Sequence, residues 1–228
     1  LRIGGFVTQP GFRILPRVET DLALVALFEG LPTAIISDNL NRMSGTWGLV
    51  PMHAPGTVLM GTALTVRTRP GDNLMIHKAL QLGRPGDVLV IDGGGVLDRA
   101  LFGDIMKNVA KMRAFAGVVI DGAIRDAGAY RADSFPCYAR GVCHRGPYKD
   151  GPGEINVPVV IGGMVVNPGD IVVGDDDGLV FIAPADAIAV AEASRKKAGA
   201  EAAILDSIAA GNYDDQWIDQ TLKMKGCL

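Results

Sequence analysis

The chain has 228 residues, of which 48% are hydrophobic and 30 are glycine, a composition that argues for a well-buried, turn-rich globular protein and against a disordered one. A formal net charge of −3 gives no bulk electrostatic reason to expect a nucleic-acid partner. No apolar run is long enough to span a membrane and the first residues lack a signal-peptide pattern, so no membrane partner is expected.

Residues 1–20 mix Pro, Gly and apolar positions and read as an N-terminal arm lying over the body. A helix is expected over 21–31, with Asp21 or Thr20 as N-cap, and a second over 33–43, capped by Ser37 or Asp38. The β-branched, alternating stretch 57–69 predicts a strand pair or one bent strand. Pro-Gly-Asp occurs at 70–72, 85–87 and 168–170, each time a tight turn, and two of them feed strands at 88–92 and 171–175. The middle reads as strand 88–92, glycine loop 93–95, helix 104–115, strand 117–121 and loop 122–126. Loop and short strands follow over 145–163, and a hairpin turn leads into a strand over 174–183. From Pro184 the pattern is alanine-rich and charged, a long helix with a break near Gly199 and a helical tail through Trp217. The Ser194–Lys197 run reads as a solvated helix face. One domain, 1–228, is expected, with 184–228 as a C-terminal helical extension and no linker.

Three cysteines, Cys137, Cys143 and Cys227, form no C-x-x-C pair, and free thiols in a reducing cytoplasm are the expectation. His53, His77 and His144 do not cluster, and His77 is expected to be packed or on the surface.

The stretch "VLVIDGGGVLDR" (88–99) invites a dinucleotide or methyl-donor site. That fingerprint wants G-x-G-x-x-G opening directly into a helix, whereas here the glycines are contiguous and the helix starts later. A sharp strand exit is the favoured reading, and a methyltransferase ranks last among the functions. "LFGDIMKNVAKM" (101–112) is more informative. Asp104 suits a helix N-cap, and the unpaired N–H groups of a first helical turn form a cradle for a carboxylate or phosphate. Strand, helix and strand in one sheet return parallel, and ligands collect at the carboxyl ends of such strands. Asp92, Asp104, Arg125 and Asp126 are therefore expected to converge on one pocket.

The segments "GDNLMIHKAL", "GDVLVIDGGG", "FGDIMKNVAK", "GVVIDGAIRD" and "PGDIVVGDDDGLV" closely resemble the RraA-like family over roughly residues 30–183. That family includes the regulator of RNase E activity and the class II 4-hydroxy-4-methyl-2-oxoglutarate / 4-carboxy-4-hydroxy-2-oxoadipate aldolases. The resemblance implies an α/β fold of the swivelling β/β/α layered type with mixed sheets, and a homotrimer or homohexamer. It further implies a lyase that cleaves a 4-hydroxy-2-oxo acid to pyruvate and decarboxylates oxaloacetate, using Mg²⁺ or Mn²⁺. By the same resemblance Asp126 is the direct metal ligand, and Arg125 stabilises the pyruvate enolate. Gly103 and the backbone amides of Ile105 and Met106 hold the substrate carboxylate, and Asp104 orients the water that transfers the proton. Glu201, on the C-terminal helix, resembles an acid that reaches the metal through water from a neighbouring subunit. The aldolase motif continues Arg-Asp-x-x with an acid, where this chain has Ala129. That departure keeps open the alternative of a non-catalytic regulator binding a ribonuclease or another protein.

Overall fold

A computed structural model describes residues 10–228. The first nine residues of the expected N-terminal arm lie outside them. The elements in chain order are β1 (Phe12–Ile14), α1 (Leu22–Ala26), α2 (Thr33–Asn39), β2 (Val50–Pro51), β3 (Leu59–Thr68), α3 (Leu74–Leu82), β4 (Asp87–Asp92), β5 (Ala100–Phe102), α4 (Asp104–Met112), β6 (Gly117–Ile124) and α5 (Ala127–Arg131). They continue with β7 (Cys137–Val142), β8 (Gly153–Ile155), β9 (Val159–Ile161), β10 (Met164–Val166), β11 (Ile171–Asp175), β12 (Gly178–Ile182), a 3₁₀ turn (Pro184–Asp186), α6 (Ala187–Ala209) and α7 (Gln216–Met224).

The fold is mixed α/β, built on one large mixed sheet ordered β1-β8-β3-β4-β6-β7-β2, with β5 added to β6 and the β11–β12 hairpin added to β3. Strands β3, β4, β6 and β7 run parallel, while β8 and β11 pair antiparallel with β3. The central strands are covered on both faces, which is why they read as continuous apolar runs. Alternation assigns their residues to two cores. Leu89, Ile91, Val118 and Ile120 pack with Ile76, Leu80, Met106 and Ala110 of α3 and α4. Val88, Val90 and Val119 pack on the other side with Val159, Ile161, Val172 and Phe181. A third core joins Ile171, Val173, Val180 and Ile182 to Val25 of α1, Ile36 of α2, and Val190 and Ala191 of α6.

All three Pro-Gly-Asp segments are tight turns, with Gly71, Gly86 and Gly169 at φ of 73°, 87° and 85°. The structure corrects several boundaries. The first helix stops at Ala26, although Asp21 caps it as expected by accepting Ala23 N–H at 2.9 Å. The second helix starts at Thr33, four residues before Ser37, because Asp175 on β11 accepts the Thr33 N–H at 2.8 Å and caps it from across the chain. Residues 59–68 form one ten-residue strand, and α6 runs through Gly199 without a break. The 194–197 run is solvated at Arg195 and Lys196 but is not a solvated face throughout. Ser194 is fully buried, Arg195 donates to the Leu27 carbonyl at 2.7 Å, and Lys197 pairs with Asp38, so α6 is clamped to α1 and α2. Cys137, Cys143 and Cys227 are free thiols, and no helix among the described residues is long and apolar enough to cross a membrane.

Candidate active site

Between β4 and α4 the chain inserts β5, which runs parallel to the end of β6 with Ala100 opposite Ala123 and Phe102 opposite Ile124. The start of α4 is thereby set beside the exit of β6, and the Arg125 N–H donates to the Phe102 carbonyl at 3.0 Å. At that exit Asp126 adopts the left-handed conformation (φ 61°, ψ 36°), one that few residues other than glycine, asparagine and aspartate enter readily. The turn swings its carboxylate back, and Oδ2 accepts the Asp104 N–H at 2.9 Å. Asp104 is thus the first residue of α4, not its N-cap. The cap position belongs to Gly103, and the capping oxygen comes from 22 residues downstream. A Cβ at position 103 would stand 2.8 Å from Asp126 Oδ2 and 3.0 Å from Arg125 Cγ, so any larger residue would have to displace one of these side chains. The N–H groups of Ile105 and Met106 follow in the first turn, where no intrahelical acceptor exists and the helix dipole is positive.

Four of the expected residues, Gly103, Ile105, Met106 and Arg125, line one cavity of about 200 Å³. That is below the roughly 300–1,000 Å³ typical of sites for drug-sized ligands and suits a small acid. The carboxylates of Asp104 and Asp126 stand beside this wall rather than in it. Asp104 is turned toward Lys107, with Oδ1 at 2.9 Å from Nζ. Arg125 Nε lies 3.8 Å from Asp126 Oδ2, with side chains 43% and 46% exposed. An exposed pair at that distance contributes about 0–1 kcal/mol, so stability alone does not account for it. Asp92, the fourth residue expected at the pocket, instead accepts the N–H groups of Gly94 and Val160 and anchors the glycine loop.

Three further polar side chains of the wall come from elsewhere in the chain: Asn73, His77 and Lys149. Asn73 is buried. Its Nδ2 donates to the Leu101 carbonyl at 3.1 Å, which fixes the amide orientation, and its Oδ1 has no protein partner. His77, expected from sequence to be merely packed or on the surface, sits in the wall. Burial first, and the charge of Lys149 second, lower its pKa and favour the neutral imidazole. The wall is held by Asp72, which is fully buried and accepts the N–H groups of Leu74 (2.9 Å), Asp150 (2.8 Å) and Gly151 (3.0 Å). One carboxylate therefore ties the start of α3 to the loop bearing Lys149. Arg99 pins the same loop, donating to the Gly146 carbonyl at 3.0 Å and the Tyr148 hydroxyl at 2.8 Å.

Among the described residues no group of three or more His, Cys, Asp or Glu side chains could hold a metal ion. The donor set does not suit Zn²⁺, which takes three or four protein ligands. It does fit Mg²⁺, an oxygen-seeking ion that keeps several waters on one or two carboxylates, because Asp126 offers a half-exposed carboxylate beside the cavity. Glu201 lies on α6, where its nearest cationic partner is Lys197 at 3.8 Å, and this chain does not bring it into the cavity wall.

A family model described as RraA-like, Aldolase/RraA, matches residues 33–181. A protein from Halalkalibacterium halodurans with a provisional assignment as 4-hydroxy-4-methyl-2-oxoglutarate aldolase is 37% identical over 196 residues, which cover 84% of this chain and 93% of that protein. Among solved structures, an uncharacterized protein from Pseudomonas syringae pv. tomato superposes with a TM-score of 0.76 at 28% identity, covering 86% of this chain and 96% of that one. A Streptomyces coelicolor protein described as an unusual member of the RNase ES inhibitor RraA family has a TM-score of 0.74 at 27% identity, over 82% of this chain and 97% of its own.

Proposed function

The chain belongs to the RraA-like family, and we propose that within it this protein is a divalent-metal-dependent lyase that cleaves a 4-hydroxy-2-oxo acid to pyruvate and a second oxo acid. The observation that carries the reading is the contact of Gly103 with Arg125 and Asp126, which sets an arginine and the start of a helix at one cavity, with a half-exposed carboxylate beside it.

The reaction removes a proton from the C4 hydroxyl, breaks the C3–C4 bond and leaves the electron pair as pyruvate enolate. In this site the substrate carboxylate is held by the N–H groups of Ile105 and Met106, with Gly103 allowing close approach. Arg125 meets the oxyanion of the enolate with a planar fork of donors. Asp104 orients the water that takes the hydroxyl proton and returns one to C3. Asp126 would hold Mg²⁺ or Mn²⁺, with Glu201 from a neighbouring subunit of a homotrimer or homohexamer reaching it through water. A metal there supplies Lewis-acid polarisation of the 2-oxo group. Lys149 and neutral His77 form the far wall, cationic and hydrogen-bonding, which supports a second carboxylate on the substrate. Loss of CO₂ from oxaloacetate yields the same enolate, so oxaloacetate decarboxylation follows from the same groups. Assembly is supported by the exposed Ile204, Leu205, Ile208 and Trp217 of the C-terminal helices.

A second reading, a regulator that binds a ribonuclease, is supported by Ala129 in place of an acid and by the likeness to the Streptomyces coelicolor protein. A coupled pyruvate assay on oxaloacetate and 4-hydroxy-4-methyl-2-oxoglutarate, with Mg²⁺ or Mn²⁺, separates the two. Metal-dependent pyruvate release supports the lyase. Folded protein that turns over neither acid and instead captures a ribonuclease supports the regulator.

A further inference from the structure

Lys107 lies on the core face of α4, between the buried Met106 and the buried Ala110, with only 4% of its side chain exposed. Removing an ammonium from water is costly, and an apolar residue would fill the place without that cost. Lys107 is instead saturated. Its Nζ reaches Asp104 Oδ1 at 2.9 Å, the Ala129 carbonyl at 2.9 Å and Asp133 Oδ2 at 3.2 Å, and it lies 5.1 Å from the centre of the Tyr130 ring. An ammonium has three hydrogens, and the three oxygens account for them. Asp133 is braced in turn by Lys111 at 2.7 Å, so the ammonium cannot swing away. The Asp104 carboxylate has no other side-chain partner among the described residues. Its backbone N–H is already taken by Asp126.

We infer that Lys107 is a positioning residue for the reaction: it fixes the Asp104 carboxylate at the start of α4, beside the cavity, so that one oxygen is held by the ammonium and the other is left for the water Asp104 orients. The inference rests on the role proposed above for Asp104. Lys107 does not line the cavity, and it stands on the α5 backbone at Ala129, where the aldolase pattern has an acid. The network thus runs Asp126, Asp104, Lys107, Asp133, tying the exit of β6 to the first turn of α4.

The test compares Lys107→Met and Lys107→Gln with Asp104→Asn, and with each Lys107 variant in the Asp104→Asn background, on oxaloacetate with Mg²⁺. Far-UV circular dichroism and thermal unfolding establish which variants fold. The expected result is a 10- to 100-fold fall in kcat for a folded Lys107 variant, with KM changed less than threefold. In the Asp104→Asn background the same substitution adds no further loss, since the two act as one unit. Lys107→Arg, which keeps the charge and the donors, recovers part of the rate. A folded Lys107 variant with wild-type kcat, or losses that multiply with that of Asp104→Asn, overturns the inference while leaving the lyase reading intact. If neither neutral variant folds, Lys107 is a structural residue and the inference fails. Wild-type turnover by Asp104→Asn instead refutes the role of Asp104, a separate failure.

Discussion

The side chain of Asp126 accepts the backbone N–H of Asp104 at 2.9 Å, so the left-handed residue that ends β6 also caps the helix that starts the cavity. Asparagine tolerates the same conformation and can still accept a hydrogen bond, whereas alanine enters it less readily and offers no acceptor. Asp126→Asn is therefore expected to fold with an unfolding midpoint within about 3 °C of wild type while losing Mg²⁺ or Mn²⁺ affinity in calorimetric titration. Asp126→Ala is expected to lose a further ~1–2 kcal/mol of stability through the missing cap and the strained turn.

Gly103 answers to contact rather than to backbone angle, since its φ of −145° is open to any residue. Gly103→Ala would drive a methyl against Asp126 Oδ2 at 2.8 Å and Arg125 Nε at 3.1 Å. Overpacking of this kind costs about 1–3 kcal/mol. Activity should fall at least tenfold with a much smaller drop in unfolding midpoint, because displacement of Arg125 and Asp126 reaches the chemistry directly. Equal stability and equal kcat would show that the pair has room to move.

Lys149, in the same wall, lowers the pKa of His77, behind the larger effect of burial. Lys149→Met should raise the His77 pKa in an NMR titration and raise KM for oxaloacetate by about tenfold, with less effect on kcat. An unchanged KM would place the second carboxylate elsewhere.

Asp133 is held down at about 2, chiefly by the hydrogen bond from Lys111, with only 18% of its side chain exposed. Its folded pKa lies below the unfolded value of about 3.9, so this stabilisation is complete above that pH and is lost as the pH falls through 4 toward 2. Asp133→Asn should cost ~1–2 kcal/mol at pH 7 and flatten the acid limb of a stability-against-pH curve. A parallel acid limb in the variant would assign the effect to other carboxylates.

What the sequence made legible was local. The Pro-Gly-Asp turns, the hairpin that joins β11 to β12, and the adjacency of Arg125 and Asp126 each rest on a few neighbouring residues. The errors share a cause as well. At both α2 and α4 the cap is a carboxylate from a distant strand end, Asp175 for Thr33 and Asp126 for Asp104, so the nearest local acid or serine was the wrong choice. The far wall was hidden for the same reason. Asn73, His77 and Lys149 meet because contacts distant in sequence, among them those of buried Asp72 to a segment 78 residues away, join α3 to the loop bearing Lys149. Asn73 and His77 lie in "GDNLMIHKAL", which carried the family resemblance but no chemical motif of its own.

The most direct test is the rate of pyruvate release from oxaloacetate by wild type and by Arg125→Ala, each with Mg²⁺ and with a chelator. The account predicts metal-dependent turnover by wild type and a loss of about 10²–10³ in kcat for a folded Arg125→Ala, the range for removal of one donor to a developing oxyanion. No pyruvate from folded, metal-loaded wild type, or wild-type turnover by Arg125→Ala, would contradict it.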